Sequence, residues 1–344
     1  MKTITLKNKL QKYSKQLLQM GFAALLFTSC EVSDDMDPII IDDNQGEVTL
    51  LGGQELEDGI QQARQDRMQT FTIDASTGGT IIGEDYTSIY FFPNSFLDQN
   101  GDTVTGSVDI ELIEIYTRAD MVLTKLPTNG RRDNGDVEAL QSAGEFFINA
   151  RQNGSDLQTT GYTIFAPNDT FDPEMALFVA ENCDAVECDV VWDERPGADG
   201  NGVGQGEGQG PDGNYVTGYQ TFRDEFGWTN LDRWYNFEGP KTIVFADVPE
   251  GYDDSNSNVY IAYEGEPGSL ALLDIYDTNQ ELFTEHYGQI PVGQNVHFIF
   301  VSIQNGDYVY AVQSTTIVDN HIEVFTNPQT TTEAGLIAII NALP

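Results

Sequence analysis

Short runs of branched and aromatic residues recur along this chain, and Asn-Gly dipeptides punctuate them at Asn100-Gly101, Asn129-Gly130, Asn134-Gly135, Asn153-Gly154 and Asn305-Gly306. Asn-Gly suits the positive φ angles of a type I′ turn. Two such runs flanking the dipeptide read as a hairpin. No alternation of strand and helix supports a parallel sheet. The pattern predicts an all-β chain: two antiparallel β-sandwich-like domains joined by a Gly-rich linker, closed by a short C-terminal helix.

In the first half, strands are predicted over 70–74, 88–92, 108–116, 146–150, 162–165 and 175–180. Val108-Asp109-Ile110-Glu111-Leu112 alternates apolar and polar residues, so one face is buried and one is wet. The alternation slips at Ile113, which suggests a bulge. Residues 55–68 suit a short polar helix with Leu56, Ile60 and Ala63 on one side. In the second half, strands are predicted over 241–246, 258–263, 271–276, 296–303, 308–314 and 321–325. Around Val296 to Val301 both alternating sets are largely apolar, as in a central strand covered on both faces. Thr330-Thr331-Thr332-Glu333 has capping-box spacing, and Leu336, Ile337, Ile340 and Leu343 then form one helical face.

The stretch 197–216 is laden with glycine, including Gly-Gln-Gly-Glu-Gly-Gln-Gly at 204–210. It offers little to pack, so it reads as a flexible linker. The predicted organisation is a signal segment 1–29, an acidic tether 30–53, a first β domain 54–196, the linker 197–216 and a second β domain 217–344.

The segment before Cys30 carries Lys2, Lys7, Lys9, Lys12 and Lys15 and no acid, followed by a short apolar run. That run is too brief for a membrane span, which needs about 20 apolar residues, and fits a secretory signal. Its end, Phe27-Thr28-Ser29-Cys30, resembles the lipobox of bacterial lipoproteins. The resemblance implies cleavage before Cys30 and lipid on its thiol. In Glu31-Val32-Ser33-Asp34-Asp35-Met36-Asp37, the residues Glu31, Ser33, Asp34, Asp35 and Asp37 resemble the surface-export signal of Bacteroidota lipoproteins. The expectation is a lipid-anchored protein at the bacterial outer membrane, facing the cell surface. A solvated acidic tether with no address is the plainer alternative.

The chain has 16 basic and 55 acidic side chains, a formal charge of -39. Removal of the five lysines before Cys30 brings this to -44. Phosphate recognition needs clustered Lys and Arg, so nucleic acid is excluded as a partner. Cys183 and Cys188 are the remaining thiols, and an exported chain permits a local disulfide between them.

A further resemblance rests on Gly78-Gly79-Thr80-Ile81, Ile89-Tyr90-Phe91-Phe92-Pro93-Asn94-Ser95-Phe96, Gly101 and Thr105-Gly106-Ser107-Val108. Met121-Val122-Leu123, Pro127-Thr128 and Ser142-Ala143-Gly144-Glu145-Phe146 continue it. This resembles a module of Bacteroidota surface lipoproteins similar to ZU5-like β-sandwiches, over about residues 70–165. Gly227-Trp228-Thr229-Asn230-Leu231-Asp232-Arg233-Trp234 resembles the opening of a second domain in those proteins. No functional residue is carried over, because fold analogy is a weak warrant for function.

Neither a Gly-x-Ser-x-Gly elbow nor a His-Glu-x-x-His motif occurs. Two oxygen-rich loops are candidates for Ca2+: Asp98, Asn100 and Asp102, and Asp253, Asp254, Asn256 and Asn258. Polar turns are their plainer reading. Trp228, Arg233, Trp234 and Tyr235 could stack on a sugar or anchor a partner, or could pack a domain edge. The functional expectation is a non-enzymatic binding or accessory role, with an outer-membrane protein partner in a transport, secretion or barrel-assembly complex. The alternative is a glycan-binding or glycan-processing surface lipoprotein.

Overall fold

The computed structural model describes residues 53–180, 183, 185–195, 202–210, 213–285 and 288–344. Cys30 and the acidic residues behind it lie outside this set, as does His286. The described residues are mostly strands, with three short helices. The all-β reading holds.

The largest sheet contains β1 (Gln69–Asp74), β5 (Ser107–Ile115), β7 (Val137–Gln152), β15 (Gly227–Trp234), β11 (Ala176–Val179), β12 (Trp192–Glu194) and β6 (Asn129–Arg131) in that order. β8 (Ser155–Asp156) returns on β7. A second sheet runs β13 (Val203–Gln209), β14 (Tyr215–Arg223), β10 (Tyr162–Pro167), β3 (Ser88–Phe91) and β2 (Gly79–Ile82). The two sheets close over one core that includes Ile89, Phe91, Val108, Ile110, Phe146, Ile164 and Leu231. A small β4 (Phe96–Leu97) and β9 (Gln158–Thr159) pair sits at one end.

The second sandwich pairs β19 (Leu270–Leu272), β18 (Asn258–Tyr263), β23 (Asn295–Gln304), β24 (Asp307–Thr316) and β26 (Gln329–Thr331) with a sheet of β20 (Ile275–Asp277), β21 (Leu282–Thr284), β17 (Val244–Asp247) and β25 (His321–Val324). β16 (Lys241–Thr242) and β22 (Ile290–Pro291) form a separate ribbon. Val296, Phe298 and Phe300 fill this sandwich. Ile299, Val301 and Ile303 on the other face join a third core, so β23 is covered on both sides as expected. That third core lies against the outer face of the largest sheet. It takes in helices α1 (Gln54–Asp66), α2 (Arg118–Thr124) and α3 (Glu333–Asn341). Among the described strands pairing is antiparallel except for β6–β12 and β17–β25.

Four expectations change. The glycine stretch is no flexible linker over its described part: Val203 to Gln209 pairs residue for residue with Thr221 to Tyr215. An aromatic ring lies on two of its glycines, Gly206 and Gly208. A Cβ on Gly208 would stand 2.2 Å from Phe165, and those on Gly206 and Gly218 would also meet that ring. An aromatic ring lying on strand glycines shields their backbone, a known device for stabilising such strands.

Gly227 to Trp234 does not open a second domain. It is β15, inside the largest sheet, between β7 and β11. The first sandwich therefore extends to Trp234.

Ile113 marks no bulge, since β5 keeps one register with β7 from Asp109 to Ile115. The alternation slips because the wet face becomes buried: Ile113 and Ile115 belong to the third core, while Ile110 and Leu112 belong to the first. The bulge sits instead in β15, between Asn230 and Asp232.

Asn129-Gly130 is strand, not turn. The Asn129 amide side chain bonds both backbone groups of Leu272. By contrast Asn153-Gly154 and Asn305-Gly306 both have paired positive φ angles, as a type I′ turn requires. At the C-terminus Thr332 is the N-cap, accepting from Gly335 N.

Candidate functional site

A cleft of about 730 Å3 opens at one end of the first sandwich. Alternation along β7 builds its floor and one wall. Phe147, Asn149 and Arg151 point one way, while Phe146, Ile148 and Ala150 enter the sandwich core. Opposite stand Leu157, Gln158 and Thr159, the turn Asp224 to Phe226, and the loop Ala185 to Glu187.

Arg151 and Asn149 organise the polar wall. Arg151 Nε donates to Asp156 Oδ1 at 2.6 Å and Nη1 to Glu111 Oε1 at 3.1 Å. The Asn149 amide donates to both carboxylates, each at 3.0 Å. Arg151 and Asn149 hold the Asp156 carboxyl below the usual range, and the Arg195 guanidinium does the same for Glu225. Glu187 and Asp224 also face the cleft and form no salt bridge among the described residues, although Glu187 lies within the field of Arg151 and Arg64. The cleft thus presents fixed negative charge, amides and a small apolar floor. Hydrolytic pairs of carboxyls need environments that push their proton affinities apart. Here Asp156 and Glu225 are both held low.

The loop at 185–187 is fixed from behind. Cys183 and Cys188 form the expected disulfide. Arg64 on α1, 1% exposed, donates to the carbonyl oxygens of Val186 at 2.7 Å and Cys188 at 2.9 Å. Trp228 Nε1 donates to Ala185 O at 3.2 Å, and its ring packs on Phe147.

Two residues along β7 from the floor residue Phe147 begins a sealed acidic pair. Glu145 on β7 and Asp232 on β15 are fully buried, and the Asn230 amide reaches both, at 3.4 and 2.8 Å. Burial pushes both carboxyls well above their usual range. Asp232 adds to the rise at Glu145, Arg64 opposes it, and the Ser142 hydroxyl opposes the rise at Asp232. Sequence reading missed this pair. Its only trace is an acid placed in each of two otherwise core-like runs.

The aromatic candidates pack. Trp228 is 1% and Trp234 9% exposed, so neither offers a ring face to a sugar. Trp234 Nε1 donates to Glu194 at 2.7 Å, and Arg132 lies 3.6 Å over its ring. Arg233 pairs with Asp172 at 3.0 Å and, more distantly, with Glu266. Tyr235 packs at a tilt against Tyr263.

Both calcium candidates are self-contained turns. Asp98 accepts from the backbone N–H groups of Asn100 and Asp102, and these bonds hold its carboxyl low. Asp253 accepts from Ser255, while Asn256 closes back on Asp253 N and Gly251 O. Asp254 stands in the same turn and Asn258 begins β18. Among the described residues no group of three or more His, Cys, Asp or Glu side chains could hold a metal. No described helix is long and apolar enough to cross a membrane.

No protein-family model matches the chain, and comparison with curated proteins and with solved structures likewise finds no match.

Proposed function

We propose that this is a lipid-anchored protein of the bacterial outer membrane, surface-facing, with a non-enzymatic binding role as the accessory subunit of an outer-membrane complex. The cleft carries the binding part of this reading. Asp156 and Glu225 are held ionised by Arg151, Asn149 and Arg195, a state suited to attracting charge and poorly suited to proton transfer near neutrality. The occupant that fits is a basic segment of a protein partner. Lys or Arg side chains would meet Glu187 and Asp224, with Phe147 and Phe226 beneath. The overall charge would speed such an encounter by steering.

The chain's own cations reinforce this. Arg67, Lys125, Arg131, Arg132, Arg151, Arg195, Arg233 and Lys241 all sit in ion pairs with its own acids. Arg64 and Arg118 bond backbone carbonyl oxygens. Among the described residues little positive charge is left over.

Gentle detergent extraction and a native gel test the reading. The wild type should co-migrate with a larger complex. Glu187→Gln with Asp224→Asn should release it at unchanged melting temperature, and raised salt should mimic the variant. A wild type that migrates alone after mild crosslinking, or a complex indifferent to both changes, would refute it. Mass spectrometry showing Cys30 unmodified would remove the lipid anchor from the proposal.

A further inference from the structure

The outer face of the β13-β14-β10-β3-β2 sheet departs from the rest of the molecule. Register places Tyr90, Thr163 and Phe222 in one row across three strands. Ser88, Phe165 and Gln220 form the next row. β2 contributes Thr80 and Ile82, and β13 contributes glycines. No outward position on these five strands carries an acidic, basic or histidine side chain. In a chain where 71 side chains of 344 are Lys, Arg, Asp or Glu, a whole sheet face without one calls for a physical reason.

The face is also aromatic and wet. Tyr90 is 40%, Phe92 36% and Phe222 50% exposed. Their rings touch in series, Tyr90 to Phe92 at 5.2 Å and Phe92 to Phe222 at 6.4 Å between centroids. They are positioned before any ligand arrives. Phe222 lies over Gly161, where a Cβ would stand 2.3 Å from the ring. Tyr90 stands on a central stretch of paired strand. Ordered rings lose little freedom on binding.

We infer that this face binds a neutral polysaccharide chain laid across the strands. Exposed aromatic rings offer flat apolar area, as the C–H face of a sugar ring does. Thr80, Ser88 and Thr163 hydroxyls and the Gln220 amide supply hydrogen bonds beside them. Tyr90 and Phe222 stand two strand spacings apart, about 10 Å, which suits rings on successive parts of one chain. Charge selects among occupants. A second copy of this chain, or an anionic polymer, brings more negative charge toward a body already at formal -39 before any cleavage. A cationic ligand would be drawn to the acidic cleft instead. A neutral glycan meets neither penalty, and this uncharged face suits it.

Affinity electrophoresis of the full-length protein in detergent tests this, with soluble neutral polymers of glucose, mannose, xylose and galactose and polygalacturonate as the anionic control. At least one neutral polymer should retard the wild type, with little salt dependence, and the control should not. Tyr90→Ala with Phe222→Ala should weaken retardation by at least about tenfold, as loss of central aromatic anchors does, at unchanged melting temperature. Tyr90→Phe should keep most of it. Glu187→Gln with Asp224→Asn should leave it intact, which separates this surface from the cleft. Retardation by none of the neutral polymers would overturn the inference. So would retention unaffected by the double alanine variant, or sedimentation showing that these rings join two copies of the chain.

Discussion

The Arg64 guanidinium sits 2.9 Å from the Cys188 carbonyl oxygen, so a helix near the start of the described chain fastens a disulfide loop more than a hundred residues later. The same nitrogen bonds Val186 O, and Nε bonds Thr124 O at 2.8 Å. Burial lowers the guanidinium's proton affinity from its ordinary value, yet arginine stays charged at neutral pH. Arg64→Met would keep the packing and orphan these carbonyls. Orphaned buried acceptors are costly, so urea unfolding should show a loss of about 3 kcal/mol. An unchanged midpoint would mean the loop holds its place without Arg64.

The disulfide closes a loop too short to restrict the unfolded chain much. Cys183→Ser with Cys188→Ser should therefore cost only about 2 kcal/mol. Its larger effect should fall on the cleft, because the 185–187 wall hangs from that loop. Binding of a basic peptide should weaken more than stability does. Equal affinity in reduced and oxidised protein would separate the disulfide from the cleft.

The ring of Phe165 and the glycines beneath it should behave as one unit. Gly208→Ala forces a Cβ into the ring, and overpacking of this sort costs about 1–3 kcal/mol. Phe165→Ala alone should also destabilise, by baring strand glycines. In the double variant the added methyl no longer clashes, so the two losses should fall short of additive. A double-mutant cycle by chemical denaturation measures that coupling. Additive losses would mean that the ring and the glycines act independently.

This glycine strand shows where sequence reading stops. Strands with period-two alternation, such as Val108 to Leu112, were legible because one face was wet. Gly204 to Gln209 has no side-chain pattern to read. Phe165, whose ring covers Gly206 and Gly208, lies about forty residues away on β10. Asn129-Gly130 failed for a related reason. The dipeptide has turn chemistry, but the Asn129 side chain bonds β19, a partner no local rule can see. At the cleft, the alternation of Phe147, Asn149 and Arg151 could have signalled a polar wall. Its closure by a disulfide loop and a turn near residue 225 is long-range. The Trp228 and Trp234 cluster was visible as a cluster, but composition does not say which face of a strand is covered.

The sealed pair of Glu145 and Asp232 should set a pH dependence of stability whose sign follows from its raised proton affinities. In the unfolded chain both carboxyls titrate near about pH 4. In the folded protein burial keeps them protonated to well above that. Their contribution to stability is thus full below about pH 4 and is lost as pH rises through the folded-state values. Glu145→Gln and Asp232→Asn keep shape and hydrogen-bonding capacity but cannot ionise. Each should flatten the fall in unfolding free energy between mildly acidic and mildly alkaline pH, and the double variant should flatten it most. Surface acids repel one another increasingly over the same range in every variant, so the difference in slope between wild type and variants is the measured quantity. Equal slopes by denaturant titration across that range would mean that the pair does not change its protonation on unfolding. Oε2 of Glu145 and Oδ1 of Asp232 accept no hydrogen bond among the described residues. Ionising either would place negative charge on an oxygen with no donor, since Asn230 reaches only the other oxygen of each, and this is the physical source of the slope.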